Sequence, residues 1–363
     1  MTTRTLDEEA PMTPGPLRTR HRTVRHGLLP AMTALLVLGT TACGQLYPST
    51  TPAAGPPHGI KSSVKDVVVG FAQQQLQAPY FSAMQVRAEE IAKEQGFTLH
   101  FQSANKDPAI QMDQMQAMIS QGIDVLVVNA TSVAGQKEMM TQIASQVPVV
   151  YIDTSVPGTG MTAVQSDNVT IGRDSGELTA KRFLTMGKKD IKMLLLTGPA
   201  TDEYVGPARR QGFLEGLKKG GVNYTIEASQ TGDYAQDIGQ VAAENMLAAH
   251  PDVDLIAGLN DSMALGAYAV VKNKAQYKNV YVAAAADGQK EALALIDSGG
   301  CTGRYISTGL NSPSLAAEEA LKIAVDVATG KKKPGDYPKV SFTKAVGIGC
   351  DNIKQFYNPN SVF

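Results

Sequence analysis

From Lys65 onward the chain repeats one pattern: a short apolar run rich in β-branched residues, a turn, then a longer amphipathic stretch. Strand-forming runs that alternate with helical patterns specify βαβ units around parallel sheets. The first strands are expected at residues 66–71, 99–101, 124–128 and 148–152. Helices should open near Pro79, span residues 110–120 and begin at about Ser132. Phe81, Met84, Ala88 and Ile91 recur at helical spacing behind Pro79, as one buried helix face requires. A second series places strands at residues 191–196, 224–228, 253–257, 280–284 and 305–308, with helices at 208–217, 238–247 and 262–270. These strands are apolar without alternation, so helices must cover both faces of each sheet. The pattern predicts an α/β protein with two sheets of similar size.

Length agrees. Once an N-terminal export segment is set aside, about 300 residues remain, enough for two ordinary α/β domains. Charged residues are only 18% of the chain and the formal net charge is -1, so no general field draws in nucleic acid or an anionic membrane. Beyond residue 40 no apolar run approaches the roughly 20 residues of a membrane-spanning helix.

The export segment is read from Arg18, Arg20, Arg22 and Arg25, the apolar run at residues 28–38, and the close Thr40-Thr41-Ala42-Cys43. Basic, apolar, then small is the order of a secretory signal, here residues 1–42, and the apolar run is too short for a membrane anchor. Asp7, Glu8 and Glu9 sit ahead of the basic stretch and leave both Met1 and Met12 open as starts. Ala42-Cys43 resembles the lipobox of bacterial lipoproteins, which implies cleavage before Cys43 and lipidation of its thiol. Thr40 stands where that pattern has leucine, so ordinary cleavage after Thr40-Thr41-Ala42 stays open too; either route cuts at the same bond. Residues 43–63, rich in Pro, Thr, Ser, Gly and Ala, read as a flexible tether. Lipidation of Cys43 would account for the odd cysteine of an exported protein. Cys301 and Cys350 are then left as a disulfide or as two buried thiols. His58, His100 and His250 are scattered singly, which gives no metal site.

Ligands of open α/β sheets gather beyond the carboxyl ends of strands. Four polar residues follow apolar strands there: Asn129, Asp153, Asn260 and Asp287. Each could serve as a helix cap or turn residue. Their recurrence in both halves suits a different task, because amides and carboxylates match neighbouring hydroxyls that both donate and accept. Tyr80 and Phe81, at the start of the first helix, could lie against the apolar face of a sugar ring. Phe81 also fits the core register, which makes Tyr80 the better ligand candidate. Gln74, Gln75 and Gln77 in the first loop, and Asp202 and Glu203 after residues 191–196, could add contacts. The chain has no nucleophile elbow, phosphate-binding loop or dinucleotide fingerprint, so no enzyme and no cofactor is expected.

Over roughly residues 65–348 the sequence resembles the type I periplasmic binding proteins of the ribose and galactose branch. The most specific piece is Asn260-Asp261-Ser262-Met263-Ala264-Leu265-Gly266-Ala267. Support comes from Ala78-Pro79-Tyr80-Phe81, Gly122-Ile123-Asp124, Ile152-Asp153, Ser166-Asp167-Asn168 with Gly172, Arg209 with Gly212-Phe213, and Ala286-Asp287-Gly288. The resemblance implies two Rossmann-like lobes with parallel central sheets joined by a three-strand hinge, with crossings near Gln165, Gly309-Leu310 and Lys339. It implies a first lobe of residues 64–165 plus 311–338 and a second of 166–310 plus 339–350. Asn129, Asp153, Asn260 and Asp287 would bond sugar hydroxyls, with Tyr80 and Phe81 sandwiching the ring. Ala78 stands where ribose binders have asparagine, Thr154 where they have a ligand arginine, and Pro207 where they have a second; Arg209 falls on a structural arginine, and Thr154 and Arg209 stand with Gln74 and Gln77 as weaker ligand candidates. These departures argue against ribose itself.

The resemblance further implies a monomer, exported and held at the outer face of the membrane by a lipid on Cys43, that hands a sugar or polyol to an ABC permease and its ATPase. A surface receptor passing a sugar or furanosyl signal to a sensor kinase or chemoreceptor is the alternative. A repressor of the lactose type shares the fold, but the export signal occupies the place of its DNA-binding helices. A glycosidase would need paired acids at defined separation, and no motif supplies them.

Overall fold

The computed structural model describes residues 59–363. The signal segment, Cys43 and most of the tether therefore lie outside the described residues. Elements β1 (Val68–Gln73), α1 (Pro79–Gln95), β2 (Thr98–Ser103), α2 (Pro108–Ser120), β3 (Val125–Val128), α3 (Lys137–Ala144), β4 (Val149–Ile152) and β5 (Thr162–Gln165) follow in turn. Their ends are written in the sequence. Pro79 opens α1, where its missing N–H costs nothing, and Gly96 closes it in the left-handed conformation (φ 82°). Asp107 caps α2 by accepting from Ala109 N and Ile110 N. The helix expected at Ser132 starts later, because residues 132–136 form a turn in which Ser132 Oγ accepts from Gly135 N and Gln136 Oε1 accepts from Ser132 N.

The second half contributes α4 (Asn168–Thr185), β6 (Asp190–Thr197), α5 (Val205–Lys219), β7 (Asn223–Thr231), α6 (Gln236–Ala249), β8 (Leu255–Gly258), α7 (Asp261–Val271), β9 (Tyr281–Ala284), α8 (Lys290–Gly299), β10 (Ser307–Gly309), α9 (Pro313–Ala328), β11 (Val340–Phe342) and β12 (Gly347–Gly349). All strands of the first sheet are parallel, in the order β11-β5-β4-β3-β1-β2. The second parallel sheet runs β7-β6-β8-β9, and β10 pairs antiparallel with β12 in a separate ribbon.

Alternate residues of the first sheet feed two cores. Val69, Phe71, Val125, Val127, Val150 and Ile152 pack with α1 and α9, while Leu126, Val128, Val149 and Tyr151 pack with α2 and α3. Each such aliphatic side chain contributes about 2 kcal/mol on full burial. α9 comes late in the chain yet covers the first sheet, so the chain crosses between lobes more than once. The passages fall at Ser166, at Leu310-Asn311, and at residues 343–346. The third was expected near Lys339, with residues 339–350 in the second lobe. Instead Val340, Ser341 and Phe342 pair with Ala163, Val164 and Gln165, giving the backbone of β5 a partner it would otherwise lack at that edge.

In the second lobe α4 and α5 approach closely enough that glycine is required at the contact. A Cβ on Gly212 would come within 2.1 Å of Val169 O, and one on Gly176 within 2.2 Å of Phe213 O. That proximity places Asn168, at the start of α4, beside Arg209 on α5. Among the described residues no helix is long and apolar enough to cross a membrane.

Candidate ligand-binding site

Strand order reverses once in each sheet, between β1 and β3 and between β6 and β8, and a crevice opens beyond the carboxyl ends of strands at such a point. In the first lobe the residues flanking it are Gln73-Gln74 and Asn129. The Asn129 amide donates to Gln73 Oε1 at 2.8 Å, and its Oδ1 accepts from Gln74 Nε2 at 3.2 Å and Thr154 N at 3.3 Å. Behind them buried Gln111 donates to Ala72 O and Asn129 O and accepts from Thr131 and Gln136. That bridge locks the ends of β1 and β3 together. Most of the hydrogen-bonding capacity of Asn129 is spent inside the lobe.

Asp153 follows β4 with φ 61°, a left-handed conformation that aspartate tolerates better than most residues. Burial pushes its carboxyl up to about 6. The Arg209 charge opposes that rise, the Asp287 and Asp202 charges add to it, and a hydrogen bond from Asn129 lowers it again. Asp153 of the first lobe thus shares one electrostatic neighbourhood with three residues of the second.

Across the crevice, Asp287 Oδ1 lies 3.0 Å from Arg209 Nη2 and accepts from Asn311 Nδ2 at 3.1 Å. Both contacts fall on the same oxygen. Arg209 is fixed in turn by donating to Asn168 Oδ1 at 2.9 Å and Leu259 O at 3.3 Å. Burial would lower its pKa, but Asp287, Tyr234 and Asp153 outweigh that and raise it. The loop carrying Asp287 is shaped by buried Asp261, whose Oδ2 accepts from the backbone N–H groups of Asp287, Gly288 and Gln289 and from Thr308 Oγ1, while Oδ1 accepts from Tyr305. Burial and the Asp287 charge raise this carboxyl to about 6, against the five donors.

Asn311 joins the halves. Its Oδ1 accepts from the Tyr80 hydroxyl at 3.1 Å and from Ser166 Oγ at 2.6 Å, and Ser166 Oγ is 3.1 Å from Thr343 Oγ1. One residue from each crossing therefore meets in a single polar knot, tied through Asn311 to Tyr80 on one side and Asp287 on the other. Burial, with Asp153 and Asp287 close by, raises the Tyr80 phenol well above its ordinary value, so it stays a neutral donor.

The sequence-selected residues fare differently. Tyr80, Asp153, Asp287 and Arg209 converge. Arg209, which the resemblance placed as structural, holds Asp287 directly. Tyr80 enters the group by its hydroxyl, with its ring packed edge-on against Phe81 at 5.4 Å and 84°, and Phe81 itself leans on the first-lobe core. Asn260 caps α7: its Oδ1 accepts from Met263 N and its amide donates to Tyr234 O, leaving one amide hydrogen. Gln75 Oε1 accepts from Gln77 N and Ala78 N, so it braces the entry to α1. The Gln77 and Glu203 side chains are exposed, and Thr154 reaches the site only through its backbone N–H. Asp202 accepts from three backbone N–H groups of residues 204–206 and from the Tyr234 hydroxyl. Sequence reasoning missed Gln73, Tyr234 and Asn311; the last follows Leu310 at an expected crossing, which was the one available signal.

Cys301 and Cys350 are bonded, with Cα atoms 5.1 Å apart. Cys43 lies outside the described residues.

The profile of the periplasmic binding protein domain family matches residues 69–332. A ribose import binding protein of Bacillus subtilis is 30% identical over 297 residues, covering 79% of this chain and 91% of that protein. An ABC transporter solute-binding protein from Mycobacterium smegmatis, solved with bound glycerol, superposes with a TM-score of 0.70 at 27% identity, covering 82% of this chain and 98% of the other. A Caulobacter myo-inositol binding protein, solved with myo-inositol, gives 0.67 at 27% identity, covering 82% and 97%. Two lobes of parallel sheet, facing strand ends and a profile that spans most of the chain agree: this protein belongs to the periplasmic binding protein family, and is an extracytoplasmic solute-binding protein rather than an enzyme.

Proposed function

We propose that the protein captures a sugar or small polyol between its lobes and delivers it to an ABC permease driven by its ATPase. The observation that carries this reading is the convergence of Asp153 and Tyr80 from the first lobe on Asp287 and Arg209 from the second, around Asn311. The ligands named for the relatives are ribose, glycerol and myo-inositol, all hydroxyl-rich. Asp153 and the second oxygen of Asp287 would accept from ligand hydroxyls, while Arg209 and Asn311 hold the first oxygen of Asp287 in place. Contacts from both lobes form together only when the lobes close, so binding favours the closed form. A few charge-assisted bonds, each worth about 1.5 to 3 kcal/mol, approach the roughly 8 kcal/mol of micromolar affinity. In this reading the export signal places the domain outside the membrane, and a lipid on Cys43 holds it there through the tether.

A thermal-shift screen of the mature protein against sugars and polyols tests the proposal, because a solute that binds only the folded state raises the melting temperature. At least one such compound should shift the wild type, and Asp153→Ala and Asp287→Ala should each abolish the shift while remaining folded. Full affinity in both variants would remove these residues from the site.

A further inference from the structure

Residues 350–363 lie beyond the stretch that matches the family profile, which ends at 332. They are held to the second lobe at several points. Cys350 is bonded to Cys301, Lys354 Nζ lies 2.7 Å from Asp297 Oδ1, Ile353 is part of that lobe's core, and Phe356 and Tyr357 pack against it. Residues 358–363 then fold into a turn in which Ser361 N donates to Asn358 O, Asn360 N to Asn358 Oδ1 and Phe363 N to Ser361 Oγ.

The turn ends on the other lobe. Phe363 packs against the first-lobe core, with its ring edge-on to Tyr80 at 5.6 Å and 85°. On the second-lobe side, Lys290 Nζ donates to Ser361 O at 2.7 Å. Beneath the turn is a cavity of about 100 Å³ whose walls include Asp287, Lys290, Leu310, Ser312, Phe356 and Phe363. Rotation of one lobe against the other must part Phe363 from Tyr80 or break the Lys290–Ser361 hydrogen bond.

We infer that residues 352–363 form a strap that fastens the second lobe to the first, and that Phe363 is a positioning residue holding Tyr80 in place at the ligand site. Tyr80 packs at near right angles against both Phe81 and Phe363, and its hydroxyl donates to Asn311 Oδ1. The strap itself needs only the packing just described. Its effect on the ligand rests on the sugar-binding reading proposed above.

Hydrogen exchange of the unliganded protein tests the strap without a ligand. Loss of an edge-on aromatic partner corresponds to about a two- to twelvefold change, so Phe363→Ala should speed amide exchange over residues 80–84 by about that factor, and Phe363→Tyr should restore it. If Phe363→Ala fails to fold, Lys290→Ala, which removes the hydrogen bond that holds the terminal turn at Ser361, should speed exchange at the same residues. With a sugar found by the thermal screen, the Phe363→Ala protein should release it about two- to twelvefold faster. Unchanged exchange over residues 80–84 would overturn the strap. Faster exchange with an unchanged release rate would overturn the positioning role. A screen in which no sugar binds the wild type would sink the sugar reading, while exchange would still decide the strap.

Discussion

Replacing Arg209 with methionine removes the guanidinium and keeps much of the buried volume. Three partners lose their donor: Asp287 at 3.0 Å, Asn168 Oδ1 at 2.9 Å and Leu259 O at 3.3 Å. The pair is buried on both sides, so screening by water does little to soften the loss. Breaking one half of a buried ion pair costs about 3–5 kcal/mol, because a charge is left without compensation. A loss of about 4 kcal/mol at pH 8 is therefore expected from urea denaturation, with the slope m unchanged. The deficit should shrink as pH falls through about 6, because Asp153, whose carboxyl sits there and feels the Arg209 charge, then loses the negative charge that the variant no longer offsets. The double variant Arg209→Met with Asp287→Asn should recover part of the loss at pH 8. A loss below about 1 kcal/mol, the range of solvent-exposed pairs, would refute the claim that this pair is buried and structural. So would an equal deficit at pH 5 and pH 8.

Asp153 makes a second pH prediction. Its folded carboxyl sits at about 6, above the unfolded value of about 3.9, so its contribution to stability is present below about pH 4 and lost as pH rises through about 6. Asp153→Asn should therefore flatten the fall in stability across that window and make the unliganded protein more stable than wild type at pH 7.5; identical pH profiles would contradict this. Asp261, raised in the same direction, should leave a residual slope. At the α4–α5 contact, Gly212→Ala places a methyl group 2.1 Å from Val169 O and should cost about 1–3 kcal/mol, measured by denaturation. Glycine-like stability in that variant would show that the helices can part without penalty.

The strands were legible because buried parallel strands are unbroken apolar runs, and the residues that end them announce the crevice. Asp153 and Asp287 could be singled out on that ground alone. Asn260 could not be told from a cap, since the same geometry after β8 serves both purposes. α4 escaped because its buried face is built from Gly172, Ser175, Gly176 and Thr179, small residues without a hydrophobic period. β11 escaped because it is only three residues long and partly exposed. Asn311 and Tyr234 draw their roles from neighbours far away in sequence, and nothing local marks them. Thr154 and Pro207 depart from the ribose-binder pattern in the sequence; in the structure Arg209 is committed to Asp287, Asn168 and Leu259.

Small-angle scattering with and without a sugar that shifts the melting temperature probes hinge motion without any substitution. Saturating ligand should shrink the radius of gyration of the wild type, as two halves swing together over a solute gripped from both sides. A compound that binds tightly yet leaves the scattering curve unaltered would contradict a site shared between the lobes.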